Sequence, residues 1–304
     1  MKPYRIHSIS EMHGILNLPK PEHPLISLID YAELVAAKKD NGITTIVADY
    51  YSISVKRGLG EKMHYGQQSY DFDDGVMYFI APGQVLRTNP VLNDLVKPSG
   101  WILLIHPDFL WNTPLATSIK GYEFFDYSVN EALFLSEKEE MVLLNLIQNI
   151  RQEYQANIDR FSQNIIISQL ETLLNYSERF YQRQFITRKI ANHQVLDRLD
   201  KLLTDYFTDD AFSQKGLPSV QYVADALNIS ASYLSGLLKV LTGQSTQQHI
   251  HDKLIEKAKE RLSTTDLSVS EIAYGLGFEH PQSFSKLFKT KTNLSPVEFR
   301  ASFG

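Results

Sequence analysis

The chain contains no cysteine among its 304 residues. Disulfide bonds and metal sites built from thiolates are therefore excluded. It also has no long hydrophobic run: the longest strongly apolar stretch is Trp101 to Ile105, and residues Met1 to Arg5 lead into mixed polar sequence instead of the apolar core of a signal peptide. Because a membrane-spanning helix needs about 20 apolar residues, we expect a cytoplasmic protein with no membrane partner.

The motifs of common enzyme active sites are missing as well. The sequence has no glycine-rich phosphate loop before a helix and no Gly-X-Ser-X-Gly nucleophile turn. A histidine-based metal site favours His-X-His on one strand, whereas the histidines of the first half are isolated: His7, His13, His23, His64 and His106. In the one such triplet, His249–His251, a predicted helix directs the two imidazoles about 200° apart. We therefore expect no catalytic residue, no metal ligand and no cofactor.

One segment of the sequence is present twice, at a constant offset of 50 residues. Residues 234–245 are LSGLLKVLTGQS, and residues 284–295 are FSKLFKTKTNLS. Each copy places a large apolar residue and an apolar pair at helical spacing, followed directly by Lys239 or Lys289. The repeat predicts two similar amphipathic helices in the last third of the chain.

The ends of these helices are also marked in the sequence. Gly243 and Asn293 follow each Lys by four residues, and both residue types tolerate the left-handed backbone that ends a helix. Ser245 and Ser295 come two residues later, where a hydroxyl can cap a new helix. Each copy therefore predicts a helix, a stop and a second helix.

A short helix is predicted before each copy. Its apolar residues and turn residue are Val223, Ala224, Leu227 and Asn228 in the first case, and Ile272, Ala273, Leu276 and Gly277 in the second. Ser230 then starts the first repeated helix. A short helix, a tight turn and an amphipathic helix form a helix-turn-helix. An ordinary helical bundle is the alternative, and two matching copies favour the helix-turn-helix.

These residues resemble the AraC/XylS-type bacterial transcription regulators over about 100 residues, from Val195 to Phe303. The most specific matches are Ser270–Ala273, Gly277–Phe278, Phe284–Lys289, Leu294–Pro296 and Phe299–Arg300. Lys286, Asn293 and Phe299 depart from the Arg, Gly and Tyr that are common in the family. The resemblance implies a sequence-specific regulator, most often an activator, that binds double-stranded DNA as a homodimer, with RNA polymerase as a candidate further partner.

The register of the repeats predicts which side chains face DNA. Burial of the apolar residues leaves two outward sets, which are Ser230, Ser232, Ser235, Gly236 and Lys239 in the first recognition helix, and His280, Gln282, Ser283, Ser285, Lys286 and Lys289 in the second. Gln282 suits adenine, and Lys286 suits guanine or a phosphate. We therefore expect the second helix to discriminate more between bases. For Lys239 and Lys289, the alternative is a solvated lysine without a role.

The charge of the chain is low for a DNA-binding protein. Residues 215–304 hold ten Lys and Arg against eight Asp and Glu, a net charge of +2, whereas the preceding 214 residues hold 20 against 27, a net charge of −7. Because neutralising phosphates supplies most nonspecific affinity, we expect that affinity to be modest and useful occupancy to depend on dimerisation.

The connecting helix, about Thr246 to Leu262, should be roughly 25 Å long. Its acidic residues Asp252, Glu256 and Glu260 can pair with neighbouring basic residues Lys253, Lys257 and Arg261. The lysines that then remain for DNA are Lys239, Lys286, Lys289 and Lys291.

The fold predicted for the whole chain is α+β multidomain. From about 5 to 130, short apolar runs such as Val76–Ile80 alternate with turn residues, which predicts an antiparallel barrel or sandwich. From about 132 to 182, Leu143, Ile147 and Ile150, then Ile166, Leu170 and Leu173, predict two amphipathic helices. Residues 183–194 have no strong apolar period and are interpreted as a linker to a domain over 195–304.

The resemblance implies that residues 1–182 form a cupin-like β-barrel with a helical dimerisation segment. The interior of a small barrel either fills with side chains or holds one small ligand. A ligand-responsive or dimerisation-dependent regulator is our first interpretation. The alternatives are a cupin-type metal-dependent enzyme that carries a DNA-binding domain, and a dimeric regulator that has no small-molecule effector.

Overall fold

The computed structural model describes residues 3–37, 45–57, 64–65, 68–69, 75–87, 99–128, 131–156, 159–187, 189–208 and 216–302. The chain divides into two compact units, Met1–Gln184 and Phe185–Gly304. The N-terminal unit is built from strands and helices, and the C-terminal unit is helical in its described residues. No helix in the described part of the chain has both the length and the apolar character needed to cross a membrane.

The strands among the described residues all lie in the N-terminal unit. They are β1 (Tyr4–Ile6), β2 (Ile26–Asp30), β3 (Thr45–Ala48), β4 (Tyr51–Arg57), β5 (His64–Tyr65), β6 (Gln68–Ser69), β7 (Val76–Ile80), β8 (Val85–Arg87), β9 (Ser99–Ile105) and β10 (Leu133–Phe134). Its α-helices are α1 (Ile9–Ile15), α2 (Tyr31–Ala37), α3 (Leu115–Ser118), α4 (Glu137–Gln155) and α5 (Ser162–Thr187), whose residues from Phe185 onward belong to the C-terminal unit. Short 3₁₀ turns follow β9.

Two main sheets face each other across an apolar layer. One has five antiparallel strands in the order β10-β7-β4-β9-β2, and the other has the order β1-β3-β8, with β1 parallel to β3. Ile6 and Ile46 of the smaller sheet pack in one buried cluster with Ile29 and Leu104 of the larger sheet. The sheet-rich region predicted for this part of the chain is confirmed. Because the described strands do not join into a closed barrel, the cupin-like closure stays a prediction.

The two amphipathic helices predicted between 132 and 182 are present as α4 and α5. Their predicted apolar residues are buried, namely Leu143, Ile147, Ile150, Ile166, Leu170 and Leu173. Ser136 and Glu139 form a capping box at the start of α4. Ser177 of α5 donates a 3.8 Å hydrogen bond to Sδ of Met77 in β7, so α5 lies against the larger sheet.

The segment predicted as a linker, 183–194, is largely helical. It contains the last residues of α5 and the first of α6, while Arg188 lies outside the described residues. Nη2 of Arg183 lies 2.6 Å from Oε2 of Glu139, and the fully buried Gln184 accepts a 2.8 Å hydrogen bond from Phe134 N. Polar side chains that pair internally weaken the apolar period, which is why the sequence does not predict the helix here. A linker role for the segment stays a prediction.

The described helices of the C-terminal unit are α6 (Lys189–Thr208), α7 (Val220–Leu227), α8 (Ala231–Thr242), α9 (Thr246–Thr264), α10 (Val269–Gly275), α11 (Pro281–Thr292) and α12 (Pro296–Ala301). The long helix α9 contacts α6, α8, α10, α11 and α12. Leu238 of α8, Leu254 of α9 and Phe288 of α11 belong to one buried cluster. The two repeated segments therefore share a continuous core.

Candidate nucleic-acid interface

The first helix-turn-helix consists of α7 and α8. Ser219 caps α7 by accepting a hydrogen bond from Tyr222 N, and α7 ends at Asn228, whose φ of 58° is left-handed. Ser230 caps α8 through Tyr233 N, and α8 ends at Gly243 with φ of 75°. The side-chain caps and left-handed residues satisfy backbone groups that have no partner inside the helix. The predicted turn at Asn228 and the predicted start at Ser230 are confirmed.

The second helix-turn-helix consists of α10 and α11. Ser268 and Glu271 form a capping box at the start of α10, and hydrogen bonds from Ser268 lower the pKa of the Glu271 carboxyl. The turn contains Gly277 with φ of 77°. A Cβ at Gly277 would lie 2.9 Å from the backbone of Gly216, so this turn requires glycine for both its φ and its close approach. Helix α11 ends at Asn293 with φ of 62°, as predicted.

A repeated hydrogen-bond pattern accompanies these helix ends. Thr242 Oγ1 donates a 2.8 Å hydrogen bond to Leu238 O and accepts one of 3.2 Å from Gln244 N. Thr292, 50 residues later, donates at 2.8 Å to Phe288 O and accepts at 3.3 Å from Leu294 N. Helices α8 and α11 also occupy residues 231–242 and 281–292, so they keep the offset of 50 over their whole length. The repeat is therefore structural as well as sequential.

The outward face of α11 carries most of the residues predicted to contact DNA. His280, Gln282, Ser283, Lys286 and Lys289 are exposed, and Ser285 is half-buried. On the opposite face, Phe284 and Phe288 are fully buried. Among the described residues, Lys286 and Lys289 take part in no ion pair. The helix thus holds a row of polar and cationic side chains over a rigid apolar base.

The corresponding face of α8 is smaller and less exposed. Lys239 is exposed, whereas the other predicted contacts are half-buried: Ser230, Ser232, Ser235 and Gly236. Ser235 differs from the prediction, because its hydroxyl lies 3.1 Å from Oγ1 of the fully buried Thr246 and so faces the connecting helix. The sequence pattern could not show this contact, since it joins positions in different helices.

Tyr233 of α8 is a buried residue that the sequence pattern missed. Its side chain is only 2% exposed, and its ring meets Phe185 edge to face at 5.0 Å between centroids. An aromatic residue directly before Leu234 widens the buried side of α8. Fewer positions of α8 therefore remain to face a ligand.

The connecting helix α9 has 19 residues and is about 28 Å long. Two predicted ion pairs are present within it, Lys253 with Glu256 at 3.1 Å and Lys257 with Glu260 at 2.9 Å. Asp252 instead pairs at 2.7 Å with Lys291 of α11. The prediction that Asp252 pairs inside the connecting helix is therefore corrected, and a contact of Lys291 with DNA stays a prediction.

The C-terminal domain is similar to domains of known proteins. A family profile described as a helix-turn-helix domain matches residues 223–302, which include both motifs. RafR, the raffinose operon transcriptional regulatory protein of Pediococcus pentosaceus, is 41% identical over 78 residues, covering 26% of this chain and 28% of RafR. The transcriptional activator RhaS of Enterobacter sp. (strain 638) is 32% identical over 120 residues, covering 39% and 41%. The C-terminal domain is of the AraC/XylS type.

The match does not extend over the whole of these relatives. The uncharacterized transcriptional regulatory protein YesN of Bacillus subtilis (strain 168) is 27% identical over 194 residues, which is 61% of this chain and 50% of YesN. The chain thus spans between 28% and 50% of the length of these three curated relatives.

Two solved structures match over different shares of this chain. The C-terminal domain of the response regulator YesN from Fusobacterium nucleatum is 30% identical, with 35% of this chain and 98% of that chain covered and a TM-score of 0.31. ToxT from Vibrio cholerae O395 is 15% identical, with 84% and 90% covered and a TM-score of 0.31.

Two arginines support the AraC/XylS-type domain in a way that the sequence repeat did not show. Arg198 of α6 donates a 3.1 Å hydrogen bond to Leu227 O, at the end of α7. Arg261 of α9 donates one of 3.1 Å to Gly275 O, at the end of α10. In each motif, an arginine from the preceding helix therefore caps the C-terminal end of the first helix. The two arginines are 63 residues apart, so a search at an offset of 50 does not detect them.

The histidines of the connecting helix have separate partners in the domain. Nε2 of His249 lies 2.9 Å from Thr242 Oγ1, and Nε2 of His251 lies 2.9 Å from Nε2 of Gln247. Burial lowers the pKa of both imidazoles. In the ranges that the structure describes, no group of three or more His, Cys, Asp or Glu side chains is placed to hold a metal ion.

Proposed function

We propose that this chain regulates transcription by binding double-stranded DNA through both helix-turn-helix motifs, with α11 supplying most of the base discrimination. The observation that carries the proposal is the exposed row on α11 above two fully buried phenylalanines. Family membership of the C-terminal domain supports the same function.

The spacing along α11 suits a major-groove helix. Gln282, Lys286 and Lys289 are separated by four and three residues, so they lie along one side of the helix. The amide of Gln282 can bond the N6 and N7 edge of adenine, and Lys286 can donate to guanine or to a phosphate. Base contacts concentrate at the N-terminal part of a recognition helix, where Gln282 lies.

Helix α8 should contribute to affinity more than to discrimination. Ser232 and Gly236 are small, so the backbone of α8 can approach the duplex closely, and Lys239 can meet a phosphate. Phosphate contacts fix register but carry no base information directly. We therefore assign positioning to the first motif and discrimination to the second.

The shared core and α9 suit a bipartite site. A helix of about 28 Å is close to the duplex repeat of about 34 Å, so both recognition helices can enter successive major-groove segments on one face. One chain would then bind two half-sites, and a dimer would bind four.

For the N-terminal unit we propose a cupin-like barrel that dimerises through α4 and α5 and senses a small molecule. The two facing sheets are compatible with such closure. Phe161, just before α5, and Ile165, one helical turn later, are 52% and 44% exposed, which gives α5 an apolar surface for a second copy. An activator that contacts RNA polymerase in the cytoplasm is the form of regulation that we propose.

Selection from random double-stranded DNA tests the DNA-binding proposal. The full chain would be incubated with the pool, and bound DNA would be amplified and sequenced over several rounds. We expect enrichment of a motif with two elements about one helical turn apart. A pool that remains random, measured beside a pool without protein, would contradict sequence-specific binding.

Sedimentation velocity of the full chain tests dimerisation. We expect a dimer that Phe161→Ser and Ile165→Ser weaken, while Lys120→Ala, at an exposed position outside α4 and α5, leaves it unchanged. A monomeric native protein at micromolar concentration would contradict this part of the proposal.

A further inference from the structure

One carboxylate on the connecting helix joins the ends of both recognition helices. Asp252 lies in the second turn of α9, and its Oδ1 accepts a 2.7 Å hydrogen bond from Nζ of Lys291, in the last turn of α11. Its Oδ2 accepts a 2.9 Å hydrogen bond from Nε2 of Gln244, which directly follows the C-cap of α8. A single side chain therefore links α8 and α11 to the helix between them.

This link depends on a departure from the sequence repeat. Lys291 occupies the position at which the first copy has the half-buried Leu241. The position 50 residues after Asp252 is Ser302, which follows the last helix. The second copy therefore has no carboxylate that could form the same link. Both residues of the ion pair, Asp252 and Lys291, occupy positions at which the two copies differ.

The ion pair between Lys291 and Asp252 contributes little to the stability of the fold, so its effect should be on the position of α11 relative to α9. The side chains of Lys291 and Asp252 are 26% and 42% exposed, and ion pairs with such exposure stabilise a fold by about 0–1 kcal/mol. The last residue of α11 in the buried core cluster is Phe288, and Lys291 lies three residues further along the helix. The ion pair therefore adds a polar contact to the connecting helix at the end of α11, where α11 itself supplies no further member of that cluster.

We propose that Asp252 is a positioning residue that fixes the separation of the two recognition helices, so that the protein selects DNA sites by the distance between their half-sites. This inference rests on the proposed function, because it requires both helices to contact one duplex. One added base pair moves the second half-site by about 3.4 Å and turns it by about 35°. A rigid pair of recognition helices rejects such a site, whereas a looser pair accepts it.

The test measures affinity against half-site spacing. The full chain would be titrated with its selected site and with derivatives that have one base pair added or removed between the half-sites. We expect Asp252→Asn and Lys291→Met each to reduce the preference for the native spacing about two- to fivefold, which is the range of a half-exposed ion pair. Because both variants break the same contact, the double variant should show the effect of one.

Glu260→Gln is the matched control. It removes a carboxylate from the same helix with the same change of charge, but Glu260 pairs with Lys257 inside α9 and does not reach a recognition helix. We expect its spacing preference to equal that of the native protein. Thermal melting of every variant would verify that the fold is retained.

Three results would overturn the inference. Asp252→Asn could change affinity equally at all spacings, as charge alone would do; the effects of the two single variants could add; or Glu260→Gln could match Asp252→Asn. A selection that recovers no bipartite site would refute the proposed function itself. Any of the three results, obtained on a bipartite site, would refute only the role of Asp252.

Discussion

The two helix-turn-helix motifs share their buried side chains but not their exposed ones. Leu234 and Phe284 occupy matching positions and are both fully buried, and the same holds for Leu238 and Phe288. On the outside, the half-buried Ser232 corresponds to the exposed Gln282, and Gly236 corresponds to Lys286. The comparison teaches that the core preserves the shape of the motif, while the surface is free to change what the motif binds.

The largest expected effect tests whether the two motifs form one core. Phe284→Ala should cost about 3–5 kcal/mol and Leu234→Ala about 2–5 kcal/mol in the free energy of unfolding, because both side chains are fully buried. Both variants should lower the urea midpoint of one and the same transition of the C-terminal unit. Far-ultraviolet circular dichroism, which reports loss of helix, measures this midpoint. A separate early transition that involves one motif only would contradict a continuous core.

The second prediction concerns the two turns. Gly277→Asn should destabilise the C-terminal unit by about 1–3 kcal/mol, because the new Cβ would meet the Gly216 backbone although asparagine accepts the left-handed φ. The reverse change in the first motif, Asn228→Gly, should alter stability by only about 1 kcal/mol or less, since glycine adopts φ of 58° without strain. Urea midpoints of the two variants measure the difference, and equal midpoints would show that the turns are equivalent.

The third prediction concerns base discrimination. Gln282→Ala and Lys286→Ala should each lower affinity for the selected site about 5- to 150-fold, which corresponds to the loss of one good base contact. Ser232→Ala, at the matching position of the first motif, should lower it less than about threefold, the loss of one weak phosphate contact. Fluorescence anisotropy with labelled duplexes provides the affinities.

A control for this comparison comes from an exposed residue of the N-terminal unit. Lys120→Ala removes a lysine outside α4, α5 and both motifs, and this variant should bind DNA like the native protein. If Ser232→Ala proved as damaging as Gln282→Ala, the assignment of discrimination to the second motif would be wrong.

The smallest expected effect concerns the two lysines at matching positions. Lys239→Ala and Lys289→Ala should each reduce the slope of log affinity against log salt concentration by about 0.9, because each lysine would neutralise one phosphate. The loss should be the same for specific and random duplexes. An unchanged slope in either variant would identify that residue as a solvated lysine without a role.

Helix boundaries of the C-terminal domain were predictable because their signals are local. Ser230, Gly243 and Asn293 act on backbone groups within a few residues, so the sequence pattern alone places the ends of α8 and α11. The buried row of α11 was equally predictable from its spacing. The exposed residues of α11 were predictable as well, because the positions of a helix that do not pack on the core must face outward.

Contacts between distant parts of the chain were not predictable in the same way. Ser235 faces Thr246, and Lys291 pairs with Asp252 although 39 residues separate the two. The outward direction of Ser235 and the ion-pair partner of Asp252 were predicted from residues that are near in sequence. In the folded chain, residues of other helices lie closer to both side chains. The helical nature of residues 183–187 was missed for the same reason, since Gln184 bonds to backbone groups some 50 residues away.

Local chemistry was thus sufficient to predict two helix-turn-helix motifs, their caps and the exposed polar row of the second, whereas the stronger base discrimination of the second motif stays a prediction. These features depend on apolar spacing and on turn residues, which act over a few positions. The common core, the arginine caps on α7 and α10, and the link through Asp252 are visible only in the folded molecule. They depend on which helices pack together, and that is decided by burial of apolar surface across the whole C-terminal unit.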